Sequence, residues 1–428
     1  MPAAARRHAM ILDAPFGPAD DATAGAERRK AARVRTVAQA AFAGLGLAAI
    51  LPIVLQFYWP ASGGLDVTGH PIGRDFINNW VGPHLAFGGE LAILTDLKAY
   101  AEAIGRVFGT PLPFHNWSYP PFALLMLWPF AQLPYFWALG AWTILLFAAF
   151  AAVTLSRVAP SERPRALLLL LVAPACLINT VGGQNGFLTG ALLVGGLLSL
   201  DRRPWLAGVL FGLLTYKPHL GLVLPFVLVA LGAWRTIVSA CLTALALVAV
   251  SVAAFGIEPW YEHLTTVRSF LLAILVRFEG FFPCMMASVY AGARSFGLPD
   301  RAAWAIQAAV SVPVLVATVW AVRRTSDPVQ RTTLVVCAVP LLTPYAFNYD
   351  LTAIAAVIVW RLVGPSPDAV SPRLLAAWLI PVVMMPLNML GIGIAPVALL
   401  AFYLTVLAEI LRGTAASRAP APHPMPAH

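Results

Sequence analysis

The sequence predicts an all-α polytopic membrane protein, and three of its features lead to that fold class. Of the 428 residues, 60% are hydrophobic and only 11% are charged, whereas about a quarter of the residues of a soluble domain are charged. Apolar runs recur almost from end to end, separated by short polar segments. None alternates in the manner of a barrel strand, so helices are the only candidates for crossing a bilayer. We therefore expect one membrane domain and no soluble domain.

The charged residues and cysteines exclude several functions. The formal net charge is +9, but Lys and Arg are scattered between apolar runs and form no basic stripe with interleaved aromatic residues. They are expected to set topology, and no nucleic-acid partner is predicted. The four cysteines occur singly, so we expect free, buried thiols and no thiolate metal site.

The N-terminal region fixes the predicted orientation. Residues 1–35 are read as a disordered, basic, cytoplasmic segment, which ends in "ERRKAARVR" before an apolar run at 37–59 that is long enough to span. That run has no clear small-residue cleavage site, so it is predicted to be an uncleaved first helix. The positive-inside rule then sends the polar loop 61–118 to the outer side. The membrane domain is expected to cover 36–412, and the tail 413–428 to be disordered.

Placing the later basic loops in the cytoplasm gives about twelve transmembrane helices, with both termini inside. The expected spans are 36–59, 135–155, 165–180, 185–200, 204–217, 219–234, 236–255, 301–321, 332–347, 350–362, 374–390 and 395–412. Two further apolar pieces begin at Tyr119 and Phe282 and are too short for a confident crossing. We predict re-entrant or partial helices there, although each could be a full span.

In this topology the unusual polar residues emerge on the outer face, beginning with the first outer loop. Phe76, Trp80, His84 and Phe87 recur at helical spacing, which predicts an amphipathic helix in the outer interface. Asp75, just before it, could be a helix cap or a surface carboxylate. The alternative is that the helix holds it where a lipid-linked head group would lie.

Lys217, in "YKPH", lies between two apolar runs. An ammonium group at a helix centre costs about 2.5–3.5 kcal/mol, so it must reach water, a partner or an anionic ligand. It could extend to the outer head groups beside Pro218. It could instead contact a lipid phosphate, with His219 next to it.

Two polar breaks present further candidates. "GGQNG" is a tight turn that carries the amides of Gln184 and Asn185. "TPYAFNYDLTA" breaks a helix pair and presents Asn348 and Asp350. A carboxylate inside a membrane suggests function by default, but Asp350 could equally be a helix N-cap.

The order of these motifs resembles glycosyltransferase family 87, a branch of the GT-C membrane glycosyltransferases. The series runs from the outer-face Asp-Phe through "GG", "DLKAY", "YPPF", "GGQNG" and "YKPH" to the polar break, and the resemblance covers roughly 36–412. The family includes α-mannosyltransferases of the PimE type that depend on polyprenol-phosphate-mannose. No P-loop, GxSxG or HExxH motif competes with this interpretation.

The resemblance implies an inverting transferase that moves a hexose, expected to be mannose, from a polyprenyl phosphate sugar to a lipid or glycan acceptor on the outer side. Asp75 matches the family's first-loop aspartate and would be the general base, while Lys217, Arg74 or His219 would stabilise the departing phosphate. "FNYD" departs from the histidine that relatives often have there, and a second carboxylate in a metal-binding arrangement is absent, so no metal or cofactor is predicted. The predicted substrate-binding residues are Arg74, Asn78, Asn79, His84, His115, Tyr119, Gln184, Asn185, Lys217, His219, Asn348 and Asp350.

Two other classes compete with this hypothesis. A secondary transporter or lipid flippase would use Lys217 and Asp350 as a coupled pair, but we find no internal repeat in the sequence. A ligase or polymerase of lipid-linked glycans usually has a large outer loop late in the chain. Here the longest outer segment, 61–118, comes early, which favours the transferase.

Overall fold

The computed structural model describes residues 18–364 and 371–416, and all of the longer elements within these ranges are helical. Extended pairing over the same residues is limited to three isolated bridges, so the all-α prediction is confirmed. The α-helices, in chain order, are α1 (Pro18–Ile53), α2 (Phe76–Phe87), α3 (Leu97–Phe108), α4 (Phe122–Ala131), α5 (Tyr135–Leu155), α6 (Arg163–Val172), α7 (Pro174–Val181), α8 (Gly186–Ser199), α9 (Pro204–Leu214), α10 (Leu224–Ala230), α11 (Trp234–Phe255), α12 (Glu258–Glu262), α13 (Arg268–Arg277), α14 (Val289–Ser295), α15 (Asp300–Val322), α16 (Pro328–Leu342), α17 (Thr352–Val363), α18 (Pro372–Met389) and α19 (Ala395–Ala416).

Six helical segments of the described chain are long and apolar enough to cross a membrane: Ala32–Tyr58, Tyr135–Leu155, Trp234–Phe255, Asp300–Val322, Pro372–Met389 and Ala395–Gly413. A seventh crossing arises if Pro160–Val172 and Pro174–Val181, which meet at 53°, form one bent span. The chain is therefore a multi-pass membrane protein. The count of twelve is not confirmed, because several expected spans are helices of 10 to 17 residues, whereas a crossing needs about 20.

Three of the shorter apolar helices, α8, α16 and α17, form the interior of the bundle. In α17, eleven of the twelve residues are buried, as expected for a helix that is apolar on every side. The long α11 is the opposite case, since its buried residues are Thr236, Ser239 and Ser251. Thr236 and Ser239 face α9, where a side chain at Gly208 would overlap Ser239, and Ser251 contacts Trp260 of α12. The apolar side of α11 is exposed. Small residues of this kind allow close helix packing in membranes.

The helix predicted after Asp75 exists as α2, but its predicted place in the outer interface is not confirmed. Nine of its twelve residues are buried, and it packs along α4. Phe76 is fully buried, Trp80 is half-buried, and His84 and Phe87 are exposed. The predicted spacing therefore follows the less buried side of the helix only from Trp80 onward. The two short apolar pieces contain α4 and α14, neither of which is long enough to span.

The chain ends differ from the sequence prediction where they are described. Helix α1 begins at Pro18 and α19 continues to Ala416, so helix extends into both segments predicted as disordered; residues 1–17 and 417–428 lie outside the described part. Cys176 and Cys337 are buried free thiols as predicted, but Cys241 is exposed and Cys284 is half-buried. Cys241 lies on the exposed, apolar side of α11. The prediction of burial was wrong because an apolar sequence does not distinguish a membrane-facing side from a protein core.

Candidate active site

Asp75 occupies the N-cap position of α2 but does not cap it, since its side chain makes no cap hydrogen bond. Its carboxylate instead accepts a hydrogen bond from the Gln184 side-chain amide, 109 residues further along the chain. The "GGQNG" turn can approach this closely because Gly183 has a positive φ of 57°, and a side chain there would overlap the Gly73 carbonyl and Phe76. The glycines of the motif therefore place a neutral amide against Asp75.

The next residue of the turn, Asn185, fixes two tyrosines. Its amide donates to the Tyr119 hydroxyl at 2.8 Å and to the Tyr216 hydroxyl at 3.2 Å. The two tyrosine rings are stacked, with centroids 4.7 Å apart. The turn thus connects the loop before α4 and the end of α9 to the site of Asp75.

Lys217 and Asp350 form a buried ion pair. Their Nζ and Oδ1 atoms are 2.8 Å apart, and the side chains are 7% and 1% exposed. The Lys217 Nζ atom also lies 4.5 Å from the centre of the Tyr349 ring. Asp350 accepts a hydrogen bond from the backbone amide of Phe347 at 3.0 Å. Lys217 therefore reaches a partner within the protein and not the head groups, and Asp350 both pairs with it and caps a short 3₁₀ turn.

Arg74 holds the outer loop together. Its guanidinium pairs with the buried Asp66 at 2.9 Å, donates to the Phe57 carbonyl and to Thr68, and lies 4.2 Å from the Tyr58 ring centre. These contacts offset its charge and engage its Nε and Nη2 groups. Arg74 therefore stabilises the outer loop, and its paired guanidinium is less suited to bind a phosphate group.

Of five further predicted residues, four are buried and one is exposed. Asn78 accepts a hydrogen bond from Tyr100 at 2.8 Å, and Asn79 is buried. His115 is buried, with Nδ1 2.7 Å from the Pro113 carbonyl oxygen. Asn348 donates to the Met385 sulfur. His84 lies on the exposed side of α2 against the Trp80 carbonyl, away from these groups.

Two cavities meet at Asp75. Cavity A, of about 510 Å³, is lined mostly by apolar side chains, among which lie the polar groups of His70, His115, Gln184 and Glu279. Cavity B, of about 390 Å³, combines basic residues with apolar side chains of α13. Both are lined by Asp75, Asn116, Phe282 and Tyr349. Because Asp75 borders both, a ligand in either cavity can reach its carboxylate.

Three residues of these cavities were missed from the sequence. Arg268 is exposed, lines cavity B and has no ion pair or hydrogen bond with any described residue. The Asn116 side-chain nitrogen is buried without a partner in that same part of the chain. Burial, and after it the charge of Arg74, lowers the pKa of His70 to about 4, so its ring is neutral at pH 7. Of the three, only Arg268 could have been found from the sequence, because it is a cation at the start of an apolar helix.

Comparison with known proteins identifies the family. The glycosyltransferase family 87 model matches residues 117–344, just over half of the chain. The chain belongs to glycosyltransferase family 87. No curated protein and no solved structure matches it. Family membership makes it a glycosyltransferase, which requires a sugar donor and an acceptor, and confirms the resemblance seen in the motifs.

The matched region contains "GGQNG", Lys217 and Arg268, but it begins after Asp75 and ends before Asp350. The match therefore does not bear on the roles of these two carboxylates, or on the PimE subtype. The described residues contain no group of three or more His, Cys, Asp or Glu that could hold a metal ion.

Proposed function

We propose that this glycosyltransferase moves a hexose, expected to be mannose, from a polyprenyl phosphate sugar to a lipid or glycan acceptor on the outer side of the membrane. The proposed transferase domain covers 36–412, between the basic segment 1–35 and the tail 413–428. The observation that carries the proposal is the position of Asp75 where two cavities meet, one that contains His70, His115 and Glu279 and one that contains Arg268 beside the leucines of α13. The basic loops support the outer orientation.

Cavity B suits a polyprenyl phosphate. The side chains of Leu271, Leu272 and Leu275 line it beside Arg268, so an apolar chain and an anionic group can be bound next to each other. Lys217 and His219 also line this cavity, but the charge of Lys217 is compensated by Asp350. Arg268 supplies positive charge that no described residue neutralises, and a guanidinium forms strong, charge-assisted hydrogen bonds with phosphate.

Cavity A suits the transferred hexose. The neutral ring of His70, the ring of His115, the Asn116 amide and Glu279 offer donors and acceptors to sugar hydroxyls. The Asn116 nitrogen has no partner in the described structure, so a hydroxyl there would satisfy an otherwise costly buried group.

Asp75 is proposed as the general base. Gln184 occupies one carboxylate oxygen, which leaves the other able to accept the proton of an acceptor hydroxyl. The acceptor oxygen forms a bond to the anomeric carbon, the bond from that carbon to the phosphate oxygen breaks, and the phosphate leaves with the electron pair. A single displacement of this kind inverts the anomeric centre.

The transporter alternative required Lys217 and Asp350 to act as a pair, and they are paired. Both are enclosed, however, and the pair fixes the turn that carries Tyr349. Membership of a glycosyltransferase family favours transfer over transport.

The test is a membrane assay with radiolabelled polyprenyl-phosphate-mannose and the lipid acceptors of the native membrane, comparing wild type with Asp75→Asn. Asp96→Asn is the matched control, because Asp96 is an aspartate of the same loop that caps α3, a role asparagine can fill. We expect transfer to disappear in Asp75→Asn and to persist in Asp96→Asn. Full transfer by Asp75→Asn would refute the assigned base.

A further inference from the structure

A third cavity, cavity C, of about 430 Å³, adjoins cavity B. It lies between the segment Leu91–Leu94, the start of α4, the end of α11 and α12. Tyr119 and His263 line both cavities, so they form the wall between them. Its volume falls in the range of roughly 300–1,000 Å³ that is common for small-molecule sites.

The charges of cavity C differ from those of cavity B. Glu258 is exposed and Glu262 half-buried, both line cavity C, and neither forms an ion pair with a residue of the described ranges. Among the residues that the structure describes, no Lys or Arg lines cavity C. Burial lowers the pKa of His263, which favours the neutral ring. The cavity is therefore anionic and disfavours a phosphate group.

The remaining walls combine aromatic rings with an available polar atom. Trp117, Tyr119 and Phe255 line the cavity. His263 lies in a π-helical turn, His263–Val267, and its Nδ1 is buried without a partner in the described chain. Such turns often occur at functional sites. Carboxylates and a neutral imidazole accept hydrogen bonds from hydroxyl groups, and aromatic rings pack against the apolar faces of a sugar.

We infer that cavity C binds a neutral, hydroxyl-rich sugar unit of the acceptor, whose reacting hydroxyl then reaches Asp75 past Tyr119 and His263. The assignment of this sugar to the acceptor rests on the proposed function. This assignment places the two substrates in cavities of different charge. The anionic donor lies beside Arg268 in cavity B, and the neutral acceptor sugar lies beside Glu258 and Glu262 in cavity C. Glu258 and Glu262 bind the sugar and take no part in the chemical step.

The test combines binding with kinetics. Methyl α-mannoside binding is measured by equilibrium dialysis on the inactive Asp75→Asn protein, with and without Glu258→Ala and Glu262→Ala. Glu102→Ala is the control, because Glu102 is an exposed glutamate of α3 that does not line the cavity. We expect the two substitutions to weaken binding at least fivefold and the control to leave it unchanged. In the active protein they should raise KM for the acceptor at least fivefold, with kcat and the donor KM retained.

The outcomes separate this inference from the proposed function. If the substitutions weaken sugar binding but no polyprenyl phosphate sugar is ever a donor, cavity C is a sugar site and the proposed function is wrong. If transfer occurs and both methyl α-mannoside binding and acceptor KM are unaffected, the inference about cavity C is wrong and the proposed function stands. Tighter binding of mannose 1-phosphate that depends on Glu258 and Glu262 would also overturn it.

Discussion

Two carboxylates, Asp75 and Asp350, lie near the same cavities but have different surroundings. The Asp350 side chain is 1% exposed, and its oxygens accept hydrogen bonds from an ammonium and a backbone amide. Asp75 is half-buried and its contact is a neutral amide. This difference supports our proposal that Asp75 acts on the substrate, whereas Asp350 is bound within the protein by two hydrogen bonds.

The largest effect is expected from Asp75→Asn. Loss of a general base typically lowers the rate by about 10²–10⁴-fold, whereas the thermal unfolding temperature should change little, because asparagine can still bond to Gln184. Initial transfer rates and unfolding in detergent measure the two quantities. If Asp75→Asn lowered stability enough to explain the lost activity, Asp75 would have a structural role like that of Asp350, and the prediction would be wrong.

The second effect concerns the ion pair. Lys217→Met leaves Asp350 buried without its cation, and breaking a buried pair in this way costs roughly 3–5 kcal/mol. We expect a clearly lower unfolding temperature, and a recovery of stability in the double variant Lys217→Met/Asp350→Leu, which removes both charges. If the double variant is as unstable as the single one, the pair is not the cause.

A smaller effect is expected at the cation of cavity B. A hydrogen bond to a charged group contributes about 1.5–3 kcal/mol, so Arg268→Ala should raise KM for the donor roughly tenfold to a hundredfold. Arg277→Ala is the control on the same helix, since Arg277 lines neither cavity at Asp75. Equal donor KM values for the two variants would count against a phosphate at Arg268.

The mildest change tests the neutral partner of Asp75. Gln184→Glu places a second carboxylate beside it, and two carboxylates that share a site raise the pKa of one of them. Asp75 would then stay protonated to higher pH and be unavailable as a base, so the acid limb of the rate profile should move to higher pH. An unshifted limb would show that Asp75 does not control it.

Sequence alone could predict the helical membrane character and the family, and it proposed Asp75, Gln184 and Lys217 as candidate site residues. Each depends on local information, such as hydropathy, a glycine-rich turn, or the cost of a charge in an apolar run. The long-range partners could not be predicted. Gln184 and Asp75 are 109 residues apart, and Lys217 and Asp350 are 133 apart, and no local pattern encodes which side chains will meet.

The predicted number of membrane spans was not confirmed, and the reason also lies in what local sequence can show. The interior helix α17 and the outer helix α11 are both strongly apolar, because lipid and a protein core are similar surroundings for an apolar side chain. The sequence determined that these segments are helices in an apolar medium. Only the tertiary structure decided that α2 and α17 are enclosed by protein, that Arg74 and Lys217 are paired with carboxylates, and that Arg268 has no such partner among the described residues. Packing set these neighbours, and the neighbours determine which charges remain available for a substrate.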